Sequence, residues 1–103
     1  MFEELVQTLE THNFGVRAYE LFAQQCYQSA QVQTDHAVFF LTLRVFAERF
    51  VNQYEESPLT ITVADAQKEK ILGMIQKMEK ALHKDSTAQI ELLNSVSRDI
   101  MNG

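Results

Sequence analysis

The chain has 103 residues, 46% of them hydrophobic, and fourteen acidic residues against nine basic ones give a formal net charge of -5. This length predicts one domain over residues 1–103, and the apolar share excludes a disordered chain. A single cysteine excludes a disulfide-stapled scaffold, three Gly and one Pro argue against an all-β fold, and the longest charge-free apolar run, residues 37–43, is too short for a membrane span.

The first segment is helical in its apolar spacing, which repeats every three or four residues over about 2–30. One heptad frame runs through it, on Phe2, Leu9, Val16, Ala23 and Ala30, which is typical of one long helix. The sequence Asn13-Phe14-Gly15 instead resembles the end of one helix followed by the start of another. We therefore predict a helix over about 2–30 and leave open whether it is broken near residues 12–15.

The next helix is predicted over about 35–56, with Thr34 or Asp35 as its N-cap. Its main apolar stripe consists of Phe39, Leu43, Phe46, Phe50 and Tyr54. A second stripe, Val38, Leu41 and Val45, lies roughly 100–120° around the helix from the first. A helix that is apolar on most of its circumference is either central or shared with another subunit.

This second stripe is the candidate interface, and it predicts a homodimer. Phe14 and Leu21 lie off the main apolar face of their own segment and could join the same patch. Two alternatives stay open for these residues: additional core beneath a loop or split helix, and a groove for a helix of another protein.

The second half of the chain predicts two more helices, over about 63–84 and 86–101. Ser57-Pro58 ends the preceding helix, and the β-branched run 60–63 is interpreted as an extended connector. Thr62 and Ser86 are each followed three residues later by Asp65 and Gln89, which predicts a capping box at each helix start. The connections are short, so the predicted fold is all-α, an up-down antiparallel four-helix bundle.

Charge is uneven along this chain. Residues 58–84 carry five lysines against three acidic residues, and each of the other segments is net acidic. Four of the lysines share one side of the predicted helix, opposite its apolar face, and we call them the basic face: Lys70, Lys77, Lys80 and Lys84. Gly73 lies among them, and a mid-helix glycine costs about 1 kcal/mol relative to alanine. The basic face is either an ordinary solvated surface or a contact for an acidic partner.

The motifs of common enzyme classes are missing from the sequence. No glycine-rich phosphate loop is present, and no His is followed by the Lys and Gly of a histidine phosphotransfer domain. Glu79 and His83 are spaced i, i+4, but a second ligand pair is missing, so no metal is expected. Few arginines are available for an anionic substrate. We therefore predict no catalytic residues and no cofactor.

The resulting functional expectation is a small, non-catalytic helical protein that acts through protein–protein contacts, as a homodimer or with an acidic or helical partner. Acidic residues Glu3 and Glu4 stand where a targeting signal would need positive charge, which favours a cytoplasmic location without a membrane anchor. One alternative is a small-molecule or enzymatic site in the bundle core or at the dimer seam. Another is an accessory regulator at nucleic acid, against which the net charge argues.

Overall fold

Every regular element of this protein is helical in the computed structural model, which describes residues 1–102, and no strand occurs within that range. The predicted all-α class is therefore confirmed. The described residues form five α-helices and a three-residue 3-10 helix (Thr34–His36) that precedes the third of them. The α-helices are α1 (Glu3–Thr11), α2 (Val16–Val32), α3 (Ala37–Tyr54), α4 (Ile61–Ala81) and α5 (Ser86–Asn102).

The chain turns sharply between α1 and α2. Asn13 and Phe14 both adopt the left-handed conformation, with φ of 55°. The Asn13 N–H donates to the Glu10 carbonyl over 3.1 Å, and the Phe14 N–H donates to the Leu9 carbonyl over 2.8 Å. These are the two hydrogen bonds of a Schellman C-cap. The break that the sequence left open is present, and Gly15 leads directly into α2 with extended backbone.

The consequence of this break is a helical hairpin. Thr8 Oγ1 donates to Gln25 Oε1 over 2.7 Å, so α1 folds back along α2. The heptad frame over residues 2–30 therefore does not mark one continuous helix. Five helices stand where four were predicted, and the four-helix bundle is not confirmed.

The start of α3 differs from its prediction. Thr34 and Asp35 lie in the 3-10 helix, so neither caps α3. His36 occupies the N-cap position and makes no capping hydrogen bond through its side chain. The 3-10 turn tightens the connection between α2 and α3, and it delays the start of α3 to Ala37.

The starts of α4 and α5 are also set by other residues than predicted. Thr60 Oγ1 accepts a hydrogen bond from the Val63 N–H (3.2 Å), so α4 begins within the run that was interpreted as a connector. Asp85 Oδ1 accepts from the Ala88 N–H (2.9 Å) and supplies the cap expected from Ser86. In both cases the capping residue lies one or two positions before the predicted one, and its side chain reaches the free amide.

Helix α3 is packed by α2, α4 and α5. The contact between α2 and α3 is centred on Tyr19, whose ring stacks on Phe50 with centroids 3.9 Å apart and also meets Phe46. Phe2, just before α1, packs on Phe40, with ring centroids 5.4 Å apart. The molecule measures 41 × 27 × 18 Å.

Candidate interaction surfaces

A groove with mainly apolar walls lies between α3 and α5, and we call it the apolar groove. Its volume is about 270 Å³. The residues that line it are Val38, Leu41, Thr42, Val45 and Arg49 of α3 and Ser97, Ile100 and Met101 of α5. The α3 residues repeat at three- and four-residue spacing, so they lie on one side of that helix. The second stripe recognised in the sequence therefore forms one wall of a real surface feature.

Four apolar side chains of this groove are open to solvent, whereas Ile100 is buried. Val38 is 58% exposed, Leu41 41%, Val45 49% and Met101 65%. Isolated exposed apolar residues are ordinary, but a contiguous set on two adjacent helices is the kind of patch from which interaction surfaces are built, and this makes the groove a candidate. The structure brings the three predicted α3 residues together and adds the end of α5, which sequence reasoning did not include.

Phe14 and Leu21, the other two candidates, do not line this groove. Phe14 is 8% exposed and belongs to the core, with the Lys68 ammonium 4.8 Å from its ring centre. Its burial follows from the Schellman turn, in which the residue after the left-handed position packs back on the last turn of the helix. Phe14 is therefore not available to a surface patch, and Leu21 is only partly exposed on α2.

Opposite charges flank the α3 wall of the groove. Arg49 lines its C-terminal end, and Asp35 stands exposed two residues before α3 begins. Among the residues described, neither side chain has an ion-pair partner within 4.0 Å; the intramolecular pairs are instead Arg17 with Glu20 and Arg44 with Glu48, besides the amino terminus with Glu3. Arg49 also borders a smaller groove that Asp99 of α5 lines, whereas Asp35 lies outside the lining of the apolar groove.

The basic face is less uniform than its sequence pattern indicates. Lys70 and Lys77 line a groove between α4 and α5 together with Gly73, but the carboxylates Glu69 and Asp99 line it too. Lys80 and Lys84 lie on exposed positions farther along the chain. Because negative charges are interleaved with the lysines, the surface offers a poor match to a row of phosphates.

Gly73 itself is not required by any close contact. A Cβ atom built at this position would have no neighbour within 4 Å. The conformational cost of the mid-helix glycine is therefore not offset by packing within the chain.

A polar groove between α2 and α3, of about 410 Å³, was missed by sequence reasoning. The Arg44 guanidinium lies 4.7 Å from the centre of the Tyr27 ring, and its Nε donates to Glu48. Amide side chains of Gln24, Gln28 and Asn52 also line the groove. The i, i+4 spacing of Arg44 and Glu48 predicts their ion pair, but the contact with Tyr27 joins two helices and leaves no local pattern.

Two titratable side chains, Cys26 and Tyr19, are buried in the core. Cys26 is fully buried, and the loss of hydration raises the pKa of its thiol, opposed by the nearby Arg44 charge. A thiol in that environment is a poor nucleophile. Burial also raises the pKa of Tyr19, whose hydroxyl has no hydrogen-bond partner. Within residues 1–102, no three His, Cys, Asp or Glu side chains gather where they could hold a metal ion.

The chain matches no family model, no curated protein and no solved structure. None of the helices described here combines the length and apolar character needed to cross a bilayer.

Proposed function

We propose that this protein is a non-catalytic interaction module of the cytoplasm that works as a homodimer through the apolar groove. The observation that carries the proposal is the contiguous exposure of Val38, Leu41, Val45 and Met101 on two adjacent helices. Burying such side chains against a second copy is favourable at about 25 cal/mol per Å² of apolar surface. A reducing compartment suits the single, buried thiol of Cys26.

The composition of the groove favours a protein partner over a charged small molecule. Its walls are aliphatic apart from Thr42, Ser97 and Arg49, and protein interfaces combine an apolar centre with a polar rim of this kind. A homodimer with two-fold symmetry uses one such patch twice, so a single exposed groove is sufficient to build it.

The alternative of a small-molecule site rests on the polar groove between α2 and α3. There the Tyr27 ring and Glu48 together hold the Arg44 guanidinium in place, which limits the entropy lost when an anionic group binds it. Binding of a carboxylate ligand that is abolished by Arg44→Gln would support this second function.

Leu41→Asp tests the homodimer. Placing a carboxylate in the centre of the groove should weaken dimerisation more than about tenfold, because that charge would lose its hydration in the interface. Analytical ultracentrifugation gives the dissociation constant, and far-UV circular dichroism checks that helicity is retained. The matched control is Ile61→Asp, which alters an 81%-exposed residue of α4 outside the groove.

Two outcomes would refute the homodimer. The wild-type chain could sediment at 11.9 kDa over the whole micromolar range. Alternatively, Leu41→Asp could leave the dimer as stable as Ile61→Asp does, which would place the interface elsewhere.

A further inference from the structure

The opposite charges at the two ends of the α3 wall indicate the orientation of a second copy. Arg49 stands at the C-terminal end of the groove and Asp35 just before its N-terminal end. Between them lie Val38, Leu41 and Val45, none of which is charged. The stretch from Val38 to Arg49 is about 16 Å long at the rise of an α-helix.

Resting on the proposed homodimer, we propose that the groove receives a second copy of this chain with the two α3 helices antiparallel. The two-fold axis passes between Leu41 and Thr42, so that Val38 lies opposite the partner subunit's Val45. Arg49 then reaches Asp35 of the partner subunit, and symmetry forms this ion pair twice.

Charge distinguishes this arrangement from its alternative. In a parallel pair about a two-fold axis, each residue near the seam meets its own counterpart, and Arg49 would be brought towards a second arginine. Like charges at an interface disfavour an orientation, whereas opposite charges fix its register. The antiparallel orientation is the one that pairs both ends of the α3 wall.

Side-chain size on the seam is compatible with close helix packing. Val38, Thr42 and Val45 are small enough for two helix axes to approach within the 8–10 Å of ordinary helix pairs. Met101, on the neighbouring wall of the groove, is flexible and can fill the space beside the incoming helix. The small side chains along the seam therefore permit close packing of a second α3 helix.

Charge reversal tests the inferred ion pair. Arg49→Glu and Asp35→Arg should each weaken the dimer by about tenfold, because each brings like charges together. The dissociation constant of the double variant should return to within about threefold of the wild-type value, since the double variant restores opposite charges. Arg98→Glu is the matched control, because it changes the net charge as Arg49→Glu does but lies outside the groove.

Cysteine cross-linking tests the orientation. A mixture of Val38→Cys and Val45→Cys chains should form a disulfide-linked heterodimer under mild oxidation, and Val38→Cys alone should form little. The native Cys26 does not interfere, because it is fully buried and burial raises the pKa of its thiol.

The outcomes separate this inference from the proposed function. Efficient self-cross-linking of Val38→Cys, or a double charge variant that dimerises no better than the single variants, would overturn the antiparallel arrangement while the homodimer itself stands. A wild-type chain that remains monomeric would instead overturn the proposed function, and the antiparallel arrangement with it.

Discussion

Helix α3 has two apolar faces, one buried by the rest of the chain and one exposed to solvent. Its inner face is covered by the rest of the chain: Phe39, Leu43, Phe46 and Phe50 are all buried, and the last two meet Tyr19 of α2. Its outer face, Val38, Leu41 and Val45, remains exposed beside the end of α5. The inner face is rich in large aromatic side chains, and the outer face has only aliphatic ones.

The difference shows that hydrophobic periodicity alone does not separate a covered helix face from an exposed one. Both stripes have the periodicity of a buried helix face, and α3 contacts three other helices, yet only one stripe is covered. The outer stripe is 41–58% exposed, so the other helices of the chain leave this side of α3 open. The remaining face is covered only if another molecule covers it.

Truncation of leucine on the two faces should give the largest contrast. Leu43→Ala, at a fully buried position, should lower the free energy of unfolding by about 2–5 kcal/mol through lost burial and a cavity. The matched variant Leu41→Ala should cost the monomer less than about 1 kcal/mol, because its side chain is already 41% exposed. Urea unfolding at a concentration that keeps the chain monomeric measures both. Equal losses would mean that the two faces are equally part of the core.

Alkaline pH should have the next largest effect on the stability of the chain, through two titratable groups that are buried in the core. Burial raises the pKa of Cys26 and Tyr19 above ordinary values of 9.0 and 10.0, so the folded chain keeps protons that the unfolded chain releases. Stability is then fully present below about pH 9 and falls as pH rises, by up to about 1.4 kcal/mol per pH unit for each group. Urea unfolding measured from pH 7 to alkaline pH follows the decline. A flat profile above pH 10 would contradict the burial of these groups.

The Tyr19 hydroxyl should be dispensable for stability. It is buried without a hydrogen-bond partner, so Tyr19→Phe removes an uncompensated polar group and should raise the free energy of unfolding by about 1 kcal/mol. The control is Tyr54→Phe, whose ring also packs on Phe50 but is only partly buried, and we expect little change from it. Thermal unfolding compares the two variants. A clear loss of stability in Tyr19→Phe would reveal a partner for this hydroxyl.

Gly73 is an open position in the middle of α4, where an added Cβ atom would meet no other atom within 4 Å. Its surroundings are empty, so Gly73→Ala should stabilise the chain by about 1 kcal/mol by reducing the freedom of the unfolded state. Ala66→Gly, at an exposed position of the same helix, should lower stability by a similar amount. Thermal unfolding checks both values. Destabilisation by Gly73→Ala would show that a neighbouring surface approaches this position after all.

Periodicity was sufficient to predict the helical class and the two apolar stripes of α3, but it left open whether the chain covers the second stripe. It was not sufficient for the helix starts, because Thr60 and Asp85 compete with neighbouring residues for the same free amides. The burial of Phe14 follows from two consecutive left-handed residues, and the heptad spacing of apolar residues does not predict that backbone conformation. Similarly, the contact of Arg44 with Tyr27 depends on the register of two helices, which local spacing does not determine.

Oxidation of Met101 by peroxide tests whether a second copy covers the outer face of α3. Met101 is 65% exposed in the single chain, and Met1, at 41%, is an internal control outside the groove. The rate of peroxide oxidation at each methionine is measured by mass spectrometry over a range of protein concentrations. Oxidation of Met101 should slow as concentration rises, because dimerisation covers it, whereas oxidation of Met1 should keep its rate. A rate at Met101 that is independent of concentration, in a chain that sediments at 11.9 kDa throughout, would contradict the proposed homodimer.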